Sequence, residues 1–203
     1  MSSTRTTLRT AGVAVRAMLV FTAVLGIGYT ALITGVGQLV LPWQANGSLV
    51  ADSSGTVVGS ALIGQRFTTA DGAPLPQYFQ SRPSAAGDGY DAAASSGSNL
   101  GPENPDLVQA IGDRRAAIAA FEGVAPSDVP ADALTASASG LDPHISPAYA
   151  LLQVPRIARV RGIPEREVLA LVQSMIQPRD LGYLGEPRVD VLELNLALDA
   201  LKN

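Results

Sequence analysis

The hydrophobic pattern opens with a single unbroken run. From Ala17 to Leu41 there are 25 residues without a charge, which as a helix at 1.5 Å per residue would span roughly 37 Å. That exceeds the hydrocarbon thickness of a bilayer, roughly 30 Å, and predicts one tilted crossing. A cleaved signal peptide is the competing reading, but its apolar part runs about 7–15 residues and ends at a small-residue cleavage site. The segment Gly37 to Trp43 offers no such site. Beyond the run the pattern breaks into short pieces. The β-branched residues of Gly55 to Gly64 predict one or two short strands, and Tyr78 to Pro83 an edge strand ended by its proline. Gly87 to Gly101 has no period and reads as a long loop.

Helical periodicity follows. Asn104 is placed to cap a helix with Pro105 at its first position; Leu107, Val108, Ile111, Ile118 and Phe121 form the apolar face, and Gly123 stops it. Ala125 to Ser139 reads as a connecting segment. Ser146-Pro147 repeats the capped start and leads to Arg161, with a kink or break expected at Pro155. Pro164 opens a third helix with Val168, Leu171, Val172 and Met175 as its buried stripe; Arg188 to Val191 alternates like a strand, and Leu192 to Leu201 returns to helix. The chain is therefore expected to be α+β, with one N-terminal transmembrane helix followed by a single mixed α/β extracytoplasmic domain. Its divisions are an N-terminal segment 1–16, a crossing 17–41 and a domain 42–203.

Charge supplies the orientation. Arg5, Arg9 and Arg16 precede the crossing, the next basic residue is Arg66, and the first acidic residue is Asp52. The positive-inside rule then puts the N-terminus in the cytoplasm of a plasma or inner-membrane protein. Trp43, just past the run, suits the outer interface. After Arg16 there remain 11 basic against 18 acidic residues, a net charge of about −7. So acidic a domain argues against nucleic-acid binding, which needs clustered positive charge. Within the crossing, Thr22, Gly26, Thr30 and Thr34 recur every four residues and define a small-residue face suited to packing on a partner helix.

Candidate chemistry is sparse. With no cysteine and one histidine, thiol catalysis and zinc ligation are excluded. His144 stands near Asp142 and Ser139, the minimal parts of a membrane-tethered hydrolase, yet no nucleophile elbow accompanies them and a turn with an incidental histidine explains the string as well. No catalytic residue is therefore assigned. The loop Ser95, Ser96, Gly97, Ser98, Asn99 has the small residues of an anion cradle and equally those of a structural turn or protein contact.

Several strings are similar to the C subunit of Kdp-type potassium-transporting P-type ATPases. They are Pro42 to Leu49, Gly59 to Gln65 with Phe67, Tyr78-Phe79 with Arg82 to Ala85, Ser98 to Leu100 with Asn104-Pro105, and Thr135 to Asp142. Ile145, Pro147, Gln153, Pro155-Arg156, Ala158, Gly185, Pro187, Val189 and Glu193 to Leu198 continue the match in order. Two positions depart: the family usually has glycine where Ser96 stands and often asparagine where Asp190 stands. The resemblance implies a non-catalytic accessory subunit of an ATP-driven potassium-uptake complex. Its partners would be a channel-like potassium-translocating subunit, a P-type ATPase subunit and, in some cases, a very small fourth subunit. It further implies a catalytic chaperone said to raise the ATP affinity of the ATPase subunit, with the 95–99 loop as the nucleotide-associated element. No tightly bound cofactor is expected, and ATP enters through the resemblance alone. An external domain that gates or funnels potassium at the channel entrance is the alternative.

Overall fold

A computed structural model describes residues 2–201 of the chain, which divides into two units, residues 1–48 and 49–203. Met1, Lys202 and Asn203, which end the outer two predicted segments, lie outside the described residues. In the first unit, helix α1 (Ser2–Phe21) continues through a π-helical stretch, Thr22–Tyr29, into α2 (Thr30–Val40). Helix thus begins well before Ala17, because nothing between Ser2 and Arg16 breaks it. The apolar part, Thr7–Val40, has 34 residues, about 50 Å of helix, ample for one crossing. Leu41, forced out of the helical region by Pro42, ends it at φ −133°. A one-turn helix, α3 (Pro42–Ala45), follows. Asn46 Nδ2 ties that turn back by donating to Gln38 Oε1 at 3.1 Å and to the Pro42 carbonyl at 2.6 Å.

The second unit begins with a ribbon, β1 (Leu49–Ala51) antiparallel to β2 (Val57–Ser60), with Leu49 opposite Ser60 and Val50 opposite Gly59. Asp52 closes the turn by accepting the backbone N–H groups of Ser54 at 2.8 Å and Thr56 at 3.0 Å. Then come α4 (Pro105–Glu122), a 3₁₀ turn at Pro126–Asp128, α5 (Ala131–Leu134), β3 (His144–Ile145), α6 (Pro147–Arg161), α7 (Glu165–Met175), β4 (Val189–Asp190) and α8 (Val191–Ala200). A second ribbon pairs β3 with β4, His144 opposite Asp190 and Ile145 opposite Val189. The architecture is α+β, as the pattern implies, with helices dominant.

Among the described residues, three helix starts have side-chain caps. Asn104 Oδ1 accepts from Asp106 N at 2.8 Å, Ser146 Oγ from Tyr149 N at 3.0 Å and Asp190 Oδ1 from Glu193 N at 2.9 Å. α4 and α6 end at Gly123 and Gly162, both in the left-handed region that glycine enters without a Cβ penalty. Four expectations are corrected. Val108 faces solvent, and α4 buries Ala119 and Glu122 on its inner side. Pro155 does not break α6: its ring points outward while Val154 and Arg156 on either side are buried, so packing outweighs the lost hydrogen bond. The stretch Ala125 to Ser139 is more than a connector, since α5 sends Ala133 and Leu134 into the core. Tyr78 to Pro83 is not a strand.

The reason lies in its partners. Phe79 donates its N–H to Asn195 Oδ1 at 2.8 Å, and its carbonyl accepts from Asn195 Nδ2 at 3.0 Å. Gln80 makes the same reciprocal pair with Gln153, at 2.7 and 3.2 Å. Two buried amides, from α8 and α6, thereby replace neighbouring strands. Arg156 extends the clasp: its guanidinium donates to the carbonyls of Pro76 and Tyr78, to Gln153 Oε1 at 2.9 Å and to Glu122 Oε2 at 2.9 Å. It also lies 4.6 Å from the centroid of the Phe121 ring. Arg161 adds a bond to the Gln77 carbonyl at 2.7 Å and an ion pair to Asp199 at 2.7 Å. Around this polar spine pack Phe79, Ile145, Tyr149, Val154, Ile157, Val168, Val172, Leu194 and Leu198, each contributing roughly 1.5–3 kcal/mol if larger than alanine and fully buried.

Arg156 is only 1% exposed, and burial pushes the Glu122 carboxyl upward against the opposing pull of Arg156. Removing one partner of such a pair costs about 3–5 kcal/mol because the other stays buried and uncompensated. Arg156→Met is therefore expected to lower the urea midpoint of the detergent-solubilised chain by about 1.5 M or more, taking a slope of about 2 kcal/mol/M. Far-UV circular dichroism provides the readout, and an unshifted midpoint contradicts the clasp.

Candidate functional site

Immediately after the clasped residues the chain enters a second set of long-range polar contacts. Arg82 donates from Nη1 to Asp142 Oδ2 at 3.0 Å and from Nη2 to the Thr135 carbonyl at 3.3 Å. Asp142 turns its other oxygen to His144, accepting the backbone N–H at 3.0 Å and meeting ring Nδ1 at 3.1 Å. Burial opposes ionisation of Asp142, but the His144 hydrogen bonds and the nearby Arg82 charge outweigh it and hold the carboxyl below its ordinary value. The carboxylate is thus shared between a guanidinium and an imidazole. Ser139 is not joined to this cluster: its hydroxyl accepts from Leu141 N at 3.1 Å and lies 3.5 Å from Ser137 Oγ. Ser139, Asp142 and His144 thus form no nucleophile, base and acid relay among the described hydrogen bonds.

A knot of backbone contacts holds the cluster in place. Ser84 Oγ donates to the Gly140 carbonyl at 2.6 Å while accepting from Tyr90 N at 2.8 Å. Tyr90 returns its hydroxyl to the Arg82 carbonyl at 2.9 Å; burial raises that phenol to about 12, which keeps it a donor. A Cβ at Gly140, whose φ is +68°, would stand 2.6 Å from the Ser96 carbonyl oxygen and 2.7 Å from Ala86 N. Only glycine fits there.

Ser95 to Asn99 docks on the same knot. Ser96 N donates to the Ser139 carbonyl at 2.9 Å, Ser95 Oγ donates to that oxygen at 3.0 Å, and a Cβ on Gly97 would come 2.9 Å from the Ala138 carbonyl. The Ser96 N–H is therefore spent inside the domain, and Asn99 adopts φ +53°. In the other unit, Thr22 and Gly26 lie within the π-helical stretch, with Thr22 Cγ2 3.8 Å from where a Gly26 Cβ would be, whereas Thr30 and Thr34 lie on α2.

The comparisons add identity to this geometry. The family model described as "K+-transporting ATPase, c chain" matches residues 11–200. The chain belongs to the KdpC family. A protein of Kineococcus radiotolerans named potassium-transporting ATPase KdpC subunit is 56% identical over 191 residues, 94% of this chain and 93% of its own length. Proteins of the same name in Caulobacter vibrioides and Mycobacterium bovis are 55% identical over 181 residues and 53% identical over 186 residues. They cover 89% and 91% of this chain, and 87% and 94% of their own lengths. The strings Arg82 to Ala85 and Thr135 to Asp142, which carry the resemblance, meet in the fold.

Sequence reading missed part of the surroundings. A cleft of about 380 Å³ lies beside Arg82, with Arg66 and Arg114 on its walls and Phe67, Phe121 and Tyr149 among its apolar lining. No local signal could have linked Arg66 to Arg114, since folding alone brings them to one cleft. Asp190, one of the two departures, also receives a role. It caps α8 while buried opposite His144, and burial, reinforced by the Glu193 carboxylate, pushes it up to about 6 from 3.8. Bonds from the Glu193 and Leu192 N–H groups and the His144 charge oppose that rise.

The sign follows from proton linkage. Between about pH 4 and pH 6 the folded chain binds the Asp190 proton more tightly than the unfolded chain, so its contribution to stability falls as pH rises through that window. Asp190→Asn keeps a good cap without the buried charge. It is expected to raise stability by about 1–2 kcal/mol above pH 7, with the gain disappearing near pH 4, in thermal unfolding scans of the full chain at both pH values. A gain that is the same at both refutes the assignment.

Proposed function

We propose that this chain is the single-pass, non-catalytic accessory subunit of an ATP-driven potassium-uptake assembly. It would hold the assembly together and influence nucleotide use without itself handling nucleotide. The observation that carries this reading is the combination of one membrane helix that is uncharged from Ala17 onward, basic residues at its N-terminal end and none after it until Arg66, and a tied-down domain after it. By the positive-inside rule the domain lies outside the cell. The 95–99 loop then sits across the bilayer from the ATP pool, and its Ser96 N–H is already committed to Ser139. Any gain in the ATP affinity of the ATPase subunit would pass through the helix and partner subunits as a shift between their states. The partners implied are a channel-like potassium-translocating subunit, the P-type ATPase subunit and, in some assemblies, a very small fourth subunit. Thr22, Gly26, Thr30 and Thr34 mark the helix face that meets one of them.

A second reading concerns the ion itself. The net charge of about −7 after Arg16 would raise the local cation concentration if the domain stands over the channel entrance. The two readings share a topology and differ in consequence. In the first, deleting the chain weakens ATP affinity; in the second, it weakens potassium affinity at unchanged ATP affinity.

Protease added outside intact cells is expected to digest the part from Leu49 onward, and protease added to inverted vesicles is expected to leave it whole. The opposite pattern overturns the orientation and the argument against a shared nucleotide pocket. Tagged full-length chain purified in mild detergent is expected to carry both large subunits, and alone it is expected to show no saturable binding of labelled ATP.

A further inference from the structure

The cleft beside Arg82 stands apart electrostatically from the domain around it. Its walls carry Arg66, Arg82 and Arg114 against one carboxylate, Asp88, while the chain after Arg16 is strongly acidic. The three arginines differ in how far they are committed. Arg82 is neutralised by Asp142 and holds the Thr135 carbonyl as well. Among the described residues, Arg66 donates only to the Asp88 backbone carbonyl, at 2.6 Å, and Arg114 only to the Leu134 carbonyl, at 2.9 Å. Neither takes part in an ion pair among the described residues. Two guanidinium groups therefore line one cleft without an ion-pair partner and with donors to spare, against the single Asp88 carboxylate.

Below them the lining is aromatic and aliphatic: Phe67, Ile118, Phe121 and Tyr149. Such a cleft is rigid on its inner wall, because the Ser84, Tyr90 and Gly140 knot fixes the segment that carries Arg82. An apolar floor under unpaired arginines suits a carboxylate attached to an apolar body. A bare inorganic anion would leave the floor unused. The volume, about 380 Å³, holds a few side chains.

We propose that this cleft is a docking site for an acidic segment of a partner subunit, a carboxylate side chain with an apolar neighbour, gripped by Arg66 and Arg114 over the aromatic floor. The proposal rests on the accessory-subunit reading. Aromatic residues and arginine concentrate binding energy at protein interfaces because they combine large desolvated area with directed donors. Charge complementarity selects the occupant, since three arginines against one carboxylate in a domain that is acidic overall favour an anionic group at this cleft.

The test co-expresses full-length chain with the other subunits and measures how much of it a tagged large subunit retains in mild detergent, at about 50 and about 300 mM salt, a range over which screening of exposed charge pairs rises. The double variant Arg66→Glu/Arg114→Glu is expected to lose at least about tenfold in retention at low salt, a loss equivalent to 1.4 kcal/mol. Arg66→Gln/Arg114→Gln should lose less, and Arg115→Glu, which does not line the cleft, should be retained like wild type. Because charge reversal can unfold a domain, Ala117→Trp offers a second route: it fills the cleft from the α4 side and should also lower retention while thermal unfolding stays near wild type. Retention of both folded variants at the wild-type level overturns the proposal. So does a rise in melting temperature with sodium benzoate in wild type, absent in the arginine pair variant, together with unchanged retention, which assigns the cleft to a small organic acid instead. Failure of wild-type chain to be retained at all counts against the accessory-subunit reading and is thereby distinguished from failure of the cleft.

Discussion

A backbone segment that packs into a domain outside any helix or sheet must find partners for its N–H and C=O groups, and in this domain most of those partners are side chains. Phe79 and Gln80 receive them from Asn195 and Gln153, and Pro76 to Tyr78 receive them from Arg156 and Arg161. Each unmet group would cost on the order of 1–3 kcal/mol, so the arrangement stands or falls together. It also joins α6, α8 and α4, since Arg156 reaches Glu122 on α4 while Gln153 shares its oxygen with Arg156. A polar spine of this kind tolerates little change, because Arg156 and Gln153 each satisfy several neighbours at once.

The candidate site inherits its geometry from that spine. Residues 76–80 are clasped, and Arg82 and Ser84 emerge from the clasp only a few residues later, so their reach toward Asp142 and Gly140 is set by the buried amides. The close backbone approach at Gly140 and the turn of Asp142 onto His144 complete the cluster. What results is a rigid surface without a relay for nucleophilic chemistry among the described residues. Such a surface is suited to being held against something, and the adjoining cleft supplies the unpaired charge that makes one class of partner preferable to another.

Topology then constrains how such a subunit acts. A single helix that is uncharged from Ala17 to Val40 offers no charged group there for ion transfer and encloses no pathway of its own. With the domain placed outside, as proposed, any influence on a nucleotide across the bilayer would be a bias on states that the partners already possess, bounded by how differently the domain and helix contact those states.

Elements whose cause is local were legible in the sequence: the membrane helix from its charge-free run, the starts of α4 and α6 from Asn104-Pro105 and Ser146-Pro147, the stripe of α7, and the family from strings spread along the chain. Where the decisive partner lies far along the chain, local reading went wrong or said nothing. Tyr78 to Pro83 reads as an edge strand ended by its proline, but Asn195 and Gln153 lie 116 and 73 residues away from the residues they pair with. Pro155 carries a breaker's signal that packing on both sides overrides, and Arg66 and Arg114 share a cleft only after folding. Periodicity and capping act over a turn or two, so a sequence by itself determines them. Which side chain satisfies a remote carbonyl, and which charges remain unpaired, depends on the sum of all contacts and was decided only by the tertiary structure.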